Sequence, residues 1–107
     1  MTTFDKREEG FEKKFALDEE LKFKAEARRN KLLGLWVAGK LGLSGDAAVT
    51  YAREAVATTF AEGGDAAVVR KVTCDLAAKG STVTETEVRT QMTEFMALAV
   101  AQVKAGT

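Results

Sequence analysis

Histidine and proline are absent from this 107-residue chain, and cysteine, tryptophan and tyrosine occur once each. Without histidine the chain lacks the side chain that titrates near neutral pH and most often ligates metals, so the usual instruments of acid–base and metal chemistry are missing. A lone Cys74 cannot build an internal disulfide framework, which suits a reducing compartment, and a cytoplasmic location is expected. Net charge is absent too: 16 basic residues balance 16 acidic ones, whereas affinity for phosphate backbones rests on a basic excess. No nucleic-acid partner is therefore expected. No apolar run approaches the roughly 18 residues that span a bilayer. The N-terminus has no apolar signal region, so neither membrane insertion nor secretion is expected.

What remains is a chain of helix formers with no alternating β-branched pattern. An apolar fraction of 46% over 107 residues supports one domain with a modest core. The strong breaks are "LSGD" (43–46), "EGGD" (62–65) and "KGST" (79–82). They predict helices over 18–41, 45–62, 66–79 and 85–105, joined by short links. The expected fold is all-α: a four-helix antiparallel bundle over 18–107, preceded by a mobile N-terminal segment over 1–17. Asp18, with Glu19 and Glu20, suits a helix start; Ser44 and Asp65 are expected N-caps, and Gly42 a left-handed C-cap.

The expected inner face of the first helix is Leu17, Leu21, Ala25, Leu32, Leu35 and Trp36, with Arg28 at its edge. The second follows Val49, Ala52, Val56 and Phe60, and the third Val69, Val72 and Leu76. In the fourth, Thr84 and Glu87 form a capping box, Val83 and Val88 a hydrophobic staple, and Val88, Met92, Phe95, Met96, Ala99 and Val103 point inward.

Catalytic constellations are missing. Neither phosphate-binding glycine motif occurs, and Gly63-Gly64 reads as a helix stop. Cys74 reads as a buried or half-buried structural thiol, and Asp18, Glu19 and Glu20 as a helix start rather than a metal site. No catalytic residue, metal or cofactor is expected. The basic cluster Lys22, Lys24, Arg28, Arg29 and Lys31, with Asn30 among them, has two readings. It is a solvated face balanced by Glu26, or a surface for an anionic partner, protein rather than nucleic acid.

The opening segment poses the sharper question. Phe4, Phe11 and Phe15, three of the six phenylalanines, fall within about 40° of one another on a helical wheel. That stripe is rotated by about 90° from the face built on Leu17, Leu21 and Leu32. Gly10 costs about 1 kcal/mol in a helix interior, and so short a segment is marginal alone. It is expected to be helical when something covers the stripe. The cover is either a groove of the bundle itself or a groove on a partner.

The stretch "FDKREEGFEKKFALDEELKFKAEARRNKLLGLWVAGKLGL" resembles the start of the ζ subunit family, small inhibitors of the alphaproteobacterial F-type ATP synthase. "ARRNKLLGLW" at 27–36 and "KLGL" at 40–43 carry the likeness, which continues more loosely to the C-terminus. The resemblance implies a four-helix fold with a mobile inhibitory segment, similar to that of the mitochondrial inhibitor protein. That segment would insert at a catalytic α/β interface and block the γ stalk, so the α, β and γ subunits of the head are the implied partners of a chain that is monomeric when free. Carried onto this chain, Phe4, Phe11 and Phe15 would be apolar anchors. Asp5, Arg7, Glu8, Glu12 and Lys14 would contact the host groove. Arg28, Arg29 and Asn30 would form a second contact surface or pack the bundle, and Trp36 belongs to the core. Leu17 stands where many relatives carry histidine, so no histidine pH switch is expected. The alternative of a different class is a small helical adaptor, or a nucleic-acid-associated protein, using the basic surface of the first helix.

Overall fold

The computed structural model describes residues 2–60 and 63–106, with side chains from Glu19 onward. Four helices follow in order: α1 (Thr2–Lys40), α2 (Gly45–Thr59), α3 (Gly64–Ala78) and α4 (Glu85–Lys104). No strand occurs among the described residues. The last three helices match the expected ones to within a few residues at each end. α1 instead begins at Thr2, so Asp18, Glu19 and Glu20 lie within a helix rather than at its start. Nothing in the opening residues forbids this, because proline is absent and Gly10 alone costs only about 1 kcal/mol.

The helix ends follow from local chemistry. After α1, Gly42 takes a φ of 79°. Leu43 N–H then reaches Ala38 C=O at 2.8 Å, while Gly42 N–H donates to Gly39 C=O at 3.2 Å. This is a Schellman cap, and only glycine adopts the left-handed conformation without a steric cost. α3 ends the same way, with Ser81 N–H on Leu76 C=O at 3.0 Å. At the start of α4, Thr84 Oγ1 accepts from Glu87 N–H at 3.1 Å, and Val88 behind it is fully buried. Two expected caps are different. Ser44 makes no side-chain capping bond, and α3 starts from Gly63, which leaves Asp65 inside its first turn.

Side-chain pairs set the topology. Asn30 meets Thr59 and Gly34 meets Ala52, so α2 runs antiparallel to α1. Tyr51 meets Asp75 and Glu54 meets Lys71, so α3 runs antiparallel to α2. Arg28 donates to Gln102 at 3.4 Å, which brings the C-terminal end of α4 back beside the middle of α1. The core is built from Leu33, Val37, Val68, Val72, Leu76 and Val88, all fully buried, with Trp36 packed against it. From α3 and α4 the expected Val69, Val72, Leu76, Val88, Met92 and Ala99 are buried, but so is Val68, which the spacing does not select, while Phe95, Met96 and Val103 are only half-buried. Cys74, expected to be buried or half-buried, is exposed. In α1 the buried face is Ala25, Leu33, Val37 and Ala38, with Arg29 and Asn30, while Leu35 is exposed. In α2 it is Tyr51, Ala52 and Ala55, while Val49 and Phe60 are exposed.

Tyr51 fastens α2 to α3. Its hydroxyl donates to Asp75 Oδ2 at 2.7 Å, and Lys71 Nζ lies 4.9 Å from its ring centroid and 3.2 Å from the same carboxylate oxygen. Burial first, then the bond to Asp75, push the phenol well above its ordinary ionisation range. The raised folded value means that its stabilisation is complete below the unfolded phenol's pKa of about 10 and is lost as pH rises beyond it. Tyr51 is the only tyrosine. Tyrosinate absorbance is therefore expected to appear only together with loss of helical circular dichroism above pH 10. Ionisation near pH 10 in a fully helical protein would contradict the buried bond.

Candidate functional site

The expected partner residues occupy two stretches of α1. Phe4, Asp5, Arg7, Glu8, Phe11, Glu12, Lys14 and Phe15 stand on its first turns, and their side chains lie outside the described residues. On an ideal wheel Phe11 and Phe15 precede Arg29 and Leu33 by five turns, since 18 residues make about five turns of helix. Leu21 and Ala25, which share a groove with Met96, Val100 and Val103 of α4, lie about a quarter turn from that stripe. The expected offset thus holds against the end of α1 that packs on α4. It does not hold against the buried centre of α1, because the packed face follows every fourth residue and drifts around the helix.

In the middle of α1, Arg29 and Asn30 do not form a surface. Arg29 is 5% exposed and Asn30 fully buried. The Arg29 guanidinium forks onto Asp65 of α3, Nη2 to Oδ1 at 2.5 Å and Nη1 to Oδ2 at 3.3 Å, and its Nε donates to Asn30 Oδ1 at 3.0 Å. Asn30 Nδ2 donates to Thr59 Oγ1, whose hydroxyl donates to Ala55 C=O at 3.2 Å. One network therefore ties α1 to α2 and α3, and of the two readings for these residues, packing the bundle is the one they fulfil. The reason is positional: Arg29 and Asn30 flank the core stripe, where a polar group must find internal partners or lose its hydration. Arg28 is half-buried, reaching Gln102.

The partners Asp65 and Thr59 were not expected from the sequence. A usable signal was present, because an arginine spaced by four from both Ala25 and Leu33 requires a carboxylate from another helix. Asp65 also complements the positive end of α3, the role that first-turn acids ordinarily fill. Replacing Asp65 by asparagine removes the carboxylate but leaves the guanidinium buried. Asp65 itself is about half exposed, so the expected loss is about 1–3 kcal/mol, below that of a fully buried pair. Urea unfolding checks it, and the loss is expected to persist in high salt. The exposed Arg89–Glu85 pair should contribute about 0.5 kcal/mol or less and be screened.

Among the described residues, no group of three or more histidine, cysteine, aspartate or glutamate side chains could hold a metal ion. None of the described helices is long and apolar enough to cross a membrane.

No curated protein matches the chain. A protein of known solution NMR structure is 50% identical to it, with a TM-score of 0.70 over 81% of this chain and 99% of the other. The model of the family described as ATPase inhibitor subunit zeta matches residues 1–102. That span holds the opening segment, the Arg29–Asn30 network and most of α4, and the chain therefore belongs to the ζ family of ATPase inhibitor subunits.

Proposed function

We propose that this protein inhibits ATP hydrolysis by the F-type ATP synthase by inserting residues 1–17 at a catalytic α/β interface of the head, where they obstruct rotation of the γ stalk. The observation that carries this reading is the extent of the family match, which starts at residue 1 and so includes the phenylalanine stripe. Helix-in-groove recognition uses apolar anchors on one face of an amphipathic helix, and Phe4, Phe11 and Phe15 have that spacing. The flanking charges Asp5, Arg7, Glu8, Glu12 and Lys14 set register by pairing with the groove walls. The segment continues α1, so the bundle gives it a base on the same helix.

The division of labour follows. The bundle is the handle, peripheral to the membrane-bound enzyme, and the segment is the pawl. Titrating the full-length protein into purified cognate ATPase should suppress hydrolysis in a saturable way. Hydrolysis that is unchanged at micromolar protein would sink the reading.

A further inference from the structure

A second feature lies on the surface of the bundle. Phe23 of α1 and Phe60, just after α2, stack on each other with ring centroids 4.8 Å apart and an interplanar angle of 28°. Both rings remain more than half exposed, at 56% and 51%. An apolar pair packed on itself but still facing water is the kind of surface that a partner covers. Phe23 lines a groove of about 540 Å³ between α1 and the ends of α2 and α4, floored by Leu21, Val56 and Val103. Its described lining includes three cations, Lys24, Arg28 and Lys31, and no acidic residue. Arg28 is anchored to Gln102 of α4. Lys24 and Lys31 form no ion pair among the described residues.

Position adds to composition. Phe23 lies eight residues beyond Phe15 on the same helix, about 12 Å of helical rise. An occupant of the groove would therefore stand beside whatever grips the opening segment. A chain with zero formal charge has concentrated these cations on one aromatic-bearing face at the end of the bundle from which α1 extends.

We infer that the Phe23-lined groove, together with the Phe60 ring stacked on Phe23 beside it, is a second docking surface, which takes an acidic amphipathic segment on the outer face of the ATPase head. This rests on the inhibitor reading above and extends it. Apolar side chains of the partner cover the stacked rings, and its carboxylates meet Lys24, Arg28 and Lys31. Charge complementarity of this kind acts mainly on the rate of encounter, so the surface steers the protein to the head and the opening segment then arrests it.

The test uses the full-length protein and two variants, Lys24→Glu/Lys31→Glu and Phe23→Ser/Phe60→Ser, with binding kinetics to purified cognate ATPase measured across ionic strength. Thermal midpoints serve as the folding control, because all four side chains are largely exposed. The charge-reversal variant should associate at least tenfold more slowly at low salt and lose most of its salt dependence, yet still inhibit hydrolysis fully at saturation. The aromatic variant should dissociate severalfold faster. Wild-type rates and salt slope in both variants would overturn the second surface while leaving the inhibitor reading intact. So would a charge-reversal defect confined to nucleic-acid binding. Absence of any wild-type binding would overturn both readings.

Discussion

Gly34→Ala is expected to destabilise the bundle, and Gly39→Ala, five residues further along the same helix, to stabilise it. Alanine is the better helix former by about 1 kcal/mol at either position. The environments are opposite. A Cβ on Gly34 would lie 2.7 Å from the Cα of Ala52 and 3.2 Å from the methyls of Ala52 and Ala55, whereas one on Gly39 meets nothing within 4 Å. The Ala52 Cα is backbone and cannot rotate away, so α2 must move off α1, with strain spreading into the Asn30–Thr59 contact. Overpacking of this kind costs about 1–3 kcal/mol, occasionally more, and exceeds the propensity gain.

In a domain of this size 1 kcal/mol shifts the midpoint by about 4–8 °C. Gly34→Ala should therefore melt several degrees below wild type and Gly39→Ala several degrees above. Equal shifts in the two variants would mean that α1 and α2 do not approach as closely as described. The comparison is internally controlled, since propensity is the same in both.

The second large effect concerns the opening segment. Phe11→Ser removes one proposed anchor, and a buried aromatic of this kind contributes about 2 kcal/mol or more to an interface. At 1.4 kcal/mol per decade, inhibition should need roughly 30-fold more protein. The described core begins only at Ala25, so the thermal midpoint should not move. A loss of function with stability retained separates a docking role from the alternative in which the rings cover a groove of the bundle. In that alternative Phe11→Ser would lower the midpoint.

How far the sequence discloses this molecule depends on the element. The inner faces of α3 and α4 are legible because valine, leucine and methionine recur at helical spacing, and the start of α4 is legible in Thr84, Glu87 and the flanking valines. α1 and α2 are harder because their contact is made of small and polar residues. A reading that follows the largest apolar side chains selects Leu35, Val49 and Phe60, all exposed; it finds Ala52 but passes over Gly34 and Ala55, whose small size permits the close approach. It also places Arg29 and Asn30 on the surface, because their burial depends on Asp65 and Thr59, partners distant in sequence. Local periodicity carries no information about such partners. The family resemblance resides in "ARRNKLLGLW", and the structure gives part of that run a physical meaning: Arg29 and Asn30 form the network, Leu33 the core and Gly34 the close approach.

The central claim is that the opening segment, rather than the bundle, arrests hydrolysis. It is tested most directly by following ATP hydrolysis by the purified cognate ATPase with full-length wild type and with Phe4→Ser/Phe11→Ser/Phe15→Ser, both shown to be folded by their thermal midpoints. Full inhibition by wild type and none by the triple variant at the same concentration is the predicted result. Equal inhibition by the two proteins would contradict it.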